Sequence, residues 1–426
     1  MGSLLAISFL IFAVLGVPIA IVLGMSSLTA IYFGSTIPMS IIPQRMFTAA
    51  DSFPLLAIPL FMIAGSLMDS GGISKRLINV AKTLVGSFTG GLAMAAVLTC
   101  MFFAAISGSG PATVAAIGGI MIPAMVHEGY DKAFAASVMA VAGAIGIIIP
   151  PSIPMVTYGV MSGVSIGGLF TGGFGPGLTV GLALMITCYV ISKKRGFGGA
   201  KVPFSFSAFA KAFIGSFWAL LMPVIILGGI YGGIFTPTEA AAVAVVYGLI
   251  IGLFVYRELS FKDLPKVLVS SSRTTAMIML IIATAQVFGW IMTSERVPDA
   301  VAKSILGITD SRFAILLVIN LMLLVVGCFM ETNAALIILT PIFLPLVTSL
   351  GVDPLFFGII MIVNLAVGMS TPPLGVNLYV ACGIADLKLE QISRAVMPLL
   401  VANIVALFLI TYIEPITMFL PNLLLK

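Results

Sequence analysis

Residues 107–113 read SGSGPAT, and they stand inside a run from Thr83 to His127 that holds no Lys, Arg, Asp or Glu. Two serines, two glycines and a proline break a helix at the depth where lipid offers no hydrogen-bond partner. Non-helical backbone persists there only where it lines protein or a wet cavity. The run is also too long for one crossing of about 20 helical residues, and too short for two crossings and a loop. A re-entrant helical hairpin with its tip at 107–113 meets both constraints. The stretch 313–349, broken at METNAA (330–335), has the same form.

Composition agrees. The chain is 60% hydrophobic and 8% charged, with a mean hydropathy of +1.23, whereas a soluble domain carries about 25% charge. Apolar segments of crossing length recur along nearly its whole length, so it reads as an all-α polytopic membrane protein embedded in a lipid bilayer, not a barrel. The first segment, Leu4 to Phe33, lacks a basic leader and an A-x-A site and is too long for a signal peptide; it reads as one retained helix. Cys100, Cys188, Cys328 and Cys382 lie scattered in apolar runs without C-x-x-C spacing, which argues for packing residues and against a disulfide frame or zinc site. The net charge of +5 does not point to nucleic acid. Lys193, Lys194, Arg195, Lys201 and Lys211, then Arg257, Lys262, Lys266 and Arg273, fall in short loops between apolar segments. That is the positive-inside pattern, which places these loops in the cytoplasm.

Spans are expected at 4–33, 53–70, a pair in 88–126, 132–162, 166–191, 214–234, 238–256, 264–292, a pair in 313–349, 353–385 and 395–420. Displacing the chain on itself by 222 residues superposes Pro123 on Pro345, Gly129 on Gly351, Asp131 on Asp353, Gly146 on Gly368 and Pro150-Pro151 on Pro372-Pro373. Gly163 meets Ala385, a mismatch. Because Gly and Pro dictate backbone shape, this agreement marks two halves with one fold. Five spans separate the two hairpins, an odd number, so the second hairpin enters from the opposite face. The result is a pair of inverted-topology repeats, each with a re-entrant hairpin and a broken transmembrane helix. Segments 74–86 and 297–308 carry their charges at helical spacing just before each hairpin and read as amphipathic arms in the interface. The organisation is then 1–50, an amino-terminal helix and connection; 51–192, repeat 1; 193–263, linking helices and basic loops; and 264–426, repeat 2.

Four interruptions lie at membrane depth: the two tips, and the centres GIIIPPSIP (146–154) and GMSTPPLGVN (368–377). Each Pro-Pro pair removes two backbone donors in succession and frees carbonyls. Freed carbonyls with Ser, Thr and Asn oxygens suit a small hard cation, and half-helix N-termini offer N–H groups to an anion. Glu331 stands in an otherwise uncharged run from Phe313 to Val352, which makes it a functional candidate: a cation ligand, a proton carrier, or a structurally paired carboxylate. Glu239, after TPT, reads as a helix cap. His127, the only histidine, lies just past the first hairpin and reads as interfacial.

SGSGPATVAAIGGIMIPAM (107–125), QRMFTAADSFPLLAIPLFMIAGSLM (44–68) and GIIIPPSIPMVTYG (146–159) resemble the large membrane subunit of tripartite ATP-independent periplasmic (TRAP) transporters, and the likeness covers essentially the whole chain. It implies an elevator-type transporter of the bacterial inner membrane, related in architecture to divalent-anion sodium symporters. It further implies sodium-coupled import of an organic acid, a separate small four-helix membrane subunit and a periplasmic substrate-binding protein. At least two Na+ sites are implied. One lies between the first tip (Ser107, Gly108, Gly110) and the first break (Gly146, Ile149, Pro150). The other lies between Glu331 and Thr332 of the second tip and Gly368, Thr371 and Pro372 of the second break. The substrate carboxylate would face Ser109, Thr157, Tyr158, Asn333, Ser370 and Asn377. On overall likeness sialic acid leads, with C4-dicarboxylates and other carboxylates behind it. Where the symporters' tips carry Ser-Asn-Thr, this chain has Ser107-Gly108-Ser109 and Glu331-Thr332-Asn333. The chain has no G-x-x-x-x-G-K-[ST] loop, so nucleotide does not drive it. The rival readings are a proton-coupled carrier using Glu331 and a passive channel. An intramembrane hydrolase ranks last, because Ser107 and Ser109 have no His or Lys within their span.

Overall fold

The computed structural model describes residues 1–197, 204–307 and 311–424; Lys201 of the basic loops lies outside them. Among the described residues the chain is all helix and turn, with no strand. In chain order the helices are α1 (Gly2–Val14), α2 (Ile19–Gly34), α3 (Ile41–Ala50), α4 (Ala57–Ser70), α5 (Ile73–Val85), α6 (Gly91–Ser107) and α7 (Gly110–His127). There follow α8 (Lys132–Gly143), α9 (Ile153–Ser162), α10 (Ile166–Arg195), α11 (Phe206–Gly215), α12 (Phe217–Tyr231), α13 (Pro237–Ile250) and α14 (Leu264–Ser294). The last are α15 (Val297–Leu306), α16 (Arg312–Phe329), α17 (Thr332–Ser349), α18 (Pro354–Gly368), α19 (Val376–Ala385), α20 (Leu389–Tyr412) and α21 (Pro415–Leu424). By length and composition eight helices of the described residues can cross a membrane, or nine if α11 and α12, bent by 61°, form one span.

The amino-terminal segment is not the single helix expected. Gly16 takes φ of 73° and Pro18 precedes α2, so the chain folds back: α1 lies along α2 and Met1 reaches Gly34. The cause is local, since proline cannot continue a helix without losing a bond and clashing with the preceding turn. The expected last span, 395–420, divides likewise: α20 stops at Tyr412 and Pro415 occupies the first position of α21.

The two halves keep the displacement of 222 in their helix boundaries. Helix α7 (110–127) becomes α17 (332–349), and α6 and α16 end at 107 and 329. Asp131 accepts the N–H of Phe134 (2.9 Å) at the start of α8, and Asp353 accepts those of Leu355 (2.8 Å) and Phe356 (3.1 Å) at the start of α18. Both Pro-Pro bonds, 150–151 and 372–373, are cis. Packing is reciprocal: α7 lies on α19 and α17 on α9, while α8 lies on α20 and α10 on α18. Contacts exchanged in both directions are what a twofold relation produces. Small residues carry the close approaches, as Ala93, Ala95 and Ala96 of α6 and Ala135, Ala136, Ala140, Ala142 and Gly143 of α8, all buried, show. In lipid such close backbone packing substitutes for the hydrophobic drive.

The two segments read as arms are helical, as α5 and α15, with residue 308 outside the described residues. Helix α5 is anchored by Arg76, which donates to the Gly72 carbonyl (2.8 Å) and to Glu258 Oε1 (2.6 Å) and stacks 3.7 Å from the centre of the Tyr256 ring. Lys75 adds a contact of 3.3 Å to Glu258. Burial works to raise the Glu258 carboxyl, but Arg76 and then Lys75 outweigh it and hold it below the usual range. A depressed carboxylate stabilises the folded state above its unfolded value of about 4.3 and loses that contribution as pH falls further. Arg76→Ala should therefore cost about 1–2 kcal/mol at neutral pH. Thermal unfolding in detergent should show the deficit, and it should shrink below about pH 4. Glu239 is the expected cap: its carboxylate accepts the Thr236 N–H (2.8 Å) while Thr236 Oγ1 accepts the Glu239 N–H (3.3 Å). His127 ends α7 and is exposed, and the four cysteines are buried and form no disulfide.

Candidate ion and substrate site

At the first tip α6 ends on Ser107, Gly108 turns the chain with φ of 60°, and extended Ser109 precedes α7, with Pro111 in its first turn. That left-handed turn suits glycine. The Ser107 hydroxyl donates to the Ser109 carbonyl (3.2 Å). The Thr113 hydroxyl donates to the same carbonyl (2.8 Å) and lies 3.4 Å from Ser107 Oγ. The first break crosses directly over this tip. Ile153 N–H reaches the Gly108 carbonyl at 3.4 Å, and a Cβ on Gly146 would fall 2.7 Å from Ser109 O and against the Thr113 hydroxyl. Ser107, Gly108, Ser109 and Thr113 thus gather neutral hydroxyl and carbonyl oxygens with Gly146 packed against them, the donor type a hard monovalent cation takes. Ile149 and Pro150 turn their side chains to Gly177 and Gly173 of α10, away from the cluster, and the break carbonyl that faces Gly108 is that of Pro151.

The second tip meets the second break in the same way. Gly368 lies so close to Gly327 that a Cβ on it would fall 2.6 Å from the Gly327 Cα, and the Gly375 N–H donates to the Cys328 carbonyl (3.1 Å). The Thr332 hydroxyl points at the Met369 sulfur (3.0 Å), and Thr371 Oγ1 donates back to Val367 O (2.9 Å). The Pro372 carbonyl faces Cys328 Sγ at 3.9 Å. A thioether is a poor ligand for a hard cation, so the oxygens this junction could offer one are the Thr332 hydroxyl and backbone carbonyls.

Two of the polar links between the halves involve a tip or a break. Thr157 of α9 donates to Asn333 Oδ1 (3.0 Å), whose Nδ2 donates to Glu331 Oε1 (2.8 Å); Glu331 Oε2 accepts the N–H groups of Asn333 (2.8 Å) and Ala334 (3.2 Å). Glu331 is therefore structurally paired, as the carboxylate cap of α17, where the helix dipole favours it. In the other link Ser370 Oγ (2.9 Å) and Asn377 Nδ2 (3.2 Å) both donate to the Ala140 carbonyl, and the Asn377 amide lies over Gly110, 3.4 Å from where a Cβ would stand. Asn377 Oδ1 is buried and finds no partner among the described residues. Tyr158 stands apart: its hydroxyl donates to the Pro354 carbonyl (2.7 Å) and its ring fills the space left by Gly358, so it ties α9 to α18.

Thr113 is the residue that reading the sequence missed, although it closes the quoted SGSGPAT. A hydroxyl four residues after Ser109 in a helix falls on the Ser109 carbonyl, a back-bond open to any Ser or Thr. Met369 gave no signal, because only the packing of the second tip aims its sulfur at Thr332.

The family model described as "Tripartite ATP-independent periplasmic transporter, DctM component" matches residues 6–416. The isethionate TRAP transporter permease protein DctMQ of Oleidesulfovibrio alaskensis is 54% identical over 96% of this chain, and the chain spans 65% of that relative's length. The C4-dicarboxylate TRAP transporter large permease protein of Pseudomonas aeruginosa is 44% identical over 94% of this chain and 93% of its own. The sialic acid TRAP transporter large permease protein of Vibrio cholerae is 39% identical over 100% of this chain and 99% of its own. Among solved structures, the YdaH transporter of Alcanivorax borkumensis shares the fold with a TM-score of 0.62 at 15% identity, covering 97% of this chain and 100% of that one.

Proposed function

The chain belongs to the DctM component family of tripartite ATP-independent periplasmic transporters, multi-pass permeases of the bacterial inner membrane rather than enzymes, and from that premise we propose that it imports an organic acid by sodium symport. The observation that carries this reading is the repeated junction of tip and break. Two halves each bring a hairpin tip onto an unwound segment, and each junction offers hydroxyl and carbonyl oxygens where a membrane helix would offer none. The reciprocal packing supports an antiparallel placement of the halves with the ions between them, and an elevator movement of the two tips together. A small membrane subunit and a periplasmic binding protein complete the transporter. For the cargo, 54% identity to an isethionate permease against 39% to a sialic acid permease favours a small acid anion over sialic acid. The proton-coupled reading loses ground because the Glu331 carboxylate already caps a helix.

Reconstitution with both partners decides the matter. Uptake of isethionate, succinate and sialic acid is measured with and without an inward sodium gradient. The expected result is sodium-dependent, saturable uptake that requires the binding protein; uptake indifferent to sodium overturns the proposal and favours the channel. Ser107→Ala should raise the half-saturating sodium concentration about tenfold, the loss of one cation ligand worth about 1.4 kcal/mol. An unchanged sodium titration would remove Ser107 from the site.

A further inference from the structure

Among the buried polar side chains of the second half that lie outside both junctions, three form a connected file. Asn320 of α16 and Asn364 of α18 are 0% exposed, and Thr411 of α20 is 2% exposed. Asn364 Nδ2 donates to Asn320 Oδ1 (2.7 Å) and to the Asn320 carbonyl (3.0 Å), and Asn320 Nδ2 donates to Thr411 Oγ1 (3.2 Å). The file has an orphan at its inner end, for Asn364 Oδ1 is buried with no partner among the described residues. At its outer end Thr411 forms the floor of a cavity of 350 Å³ whose rim carries Arg312 and Glu414, 3.3 Å apart. Asn364 lies one helical turn, about 6 Å along the axis, before Gly368 of the second break. Polar side chains thus run from a cavity with a charged rim to the neighbourhood of the second junction.

The fold itself does not demand them. Displacement by 222 places Leu98, Ala142 and Tyr189 at the positions of Asn320, Asn364 and Thr411, so the first half holds the matching register without an amide. Buried polar groups in membrane helices are costly, and their retention marks water or ion pathways. An interhelical network closed on itself would use this oxygen too, so the orphan leaves room for one more partner. An unpaired amide oxygen beside two paired ones fits a bound water, which needs two or more polar partners.

We propose that Asn364, Asn320 and Thr411 form a hydrated route by which sodium reaches the second junction from the Arg312–Glu414 cavity. The cargo of the route rests on the sodium-symport reading above; its hydration does not. By the charge rule that puts the loops near 193 and 257 in the cytoplasm, this cavity opens to the outside.

The test has two arms, both on the full chain assembled with its partners. In the first, Thr411→Cys and Asn320→Cys are exposed to a membrane-impermeant thiol reagent added from outside, against the parent chain whose four cysteines are buried. Labelling of both supports the hydrated route, and absence of labelling in both overturns it. In the second arm Asn320→Leu and Asn364→Ala install the residue types of the first half. Each should keep its maximal uptake rate while the half-saturating sodium concentration rises about fivefold, whatever thermal stability the broken hydrogen bonds cost. Sodium titrations that superimpose on the parent overturn the assignment, as do variants that lose thermal stability with an unchanged titration, the outcome of a purely structural network. Parent uptake that ignores sodium overturns symport and the sodium cargo of the route together, while labelling still judges the water path.

Discussion

Gly146→Ala should reduce sodium-driven uptake by about tenfold to a hundredfold or more while the protein still inserts and folds. The added methyl has no free volume: it would fall 2.7 Å from the Ser109 carbonyl and against the Thr113 hydroxyl, and no real Cβ approaches a backbone oxygen so closely. One side must move. Helix α7 is held at its far end by a tight turn, in which Tyr130 N–H reaches Met125 O (3.0 Å), and along its length by α8 and α19. The first break, short of regular hydrogen bonds, is the side that yields. Overpacking of this kind costs about 1–3 kcal/mol, and every 1.4 kcal/mol taken from cation binding is a factor of ten. Gly119→Ala provides the control, because a methyl there meets nothing within 4 Å and sits in the same helix α7. Uptake by Gly146→Ala equal to that of Gly119→Ala would show that tip and break do not form a working pair.

The legible parts of the molecule were those that backbone chemistry writes into residue type. Gly108 and Pro111 announced the first tip, the Pro-Pro pairs announced both breaks, and the match of Asp131 with Asp353 helped announce the repeat, although only the structure shows both capping helices. These residues act through local dihedrals and missing donors, so a single chain displays them. Pro18 was equally visible, but hydropathy is blind to direction, and 30 apolar residues read the same as one tilted helix or as two short antiparallel ones. Candidate site residues were legible as element types rather than as partners. Nothing local distinguishes Thr157, which reaches Asn333 across the halves, from its neighbour Tyr158, which is spent on Pro354. The same limit applies to Asn320, Asn364 and Thr411, each an isolated polar residue in an apolar helix until three helices bring them together.

Glu331→Ala should all but abolish uptake, whereas Glu331→Gln should retain sodium-driven uptake within about tenfold. The carboxylate holds three donors at the second tip: two backbone N–H groups of the first turn of α17 and the Asn333 side chain. Alanine leaves them unpaired, and each orphaned buried group costs about 1–3 kcal/mol. Asn333 would then lose the partner that fixes its amide orientation, and with it the hydrogen bond that ties Thr157 of the first half to the second tip. A combined loss of about 3–5 kcal/mol corresponds to a hundredfold or more in uptake. Glutamine keeps one carbonyl oxygen for the N–H groups and gives up the charge, worth roughly 0.3–1 kcal/mol at a helix N-terminus. The pair of variants therefore separates two roles that a single substitution would confound. If Glu331 carried a coupled proton, glutamine would be as inactive as alanine and parent uptake would follow a pH gradient in the absence of sodium. Uptake that survives in glutamine and keeps its sodium dependence assigns Glu331 to the geometry of the tip, leaving the ions to the hydroxyls and carbonyls around it.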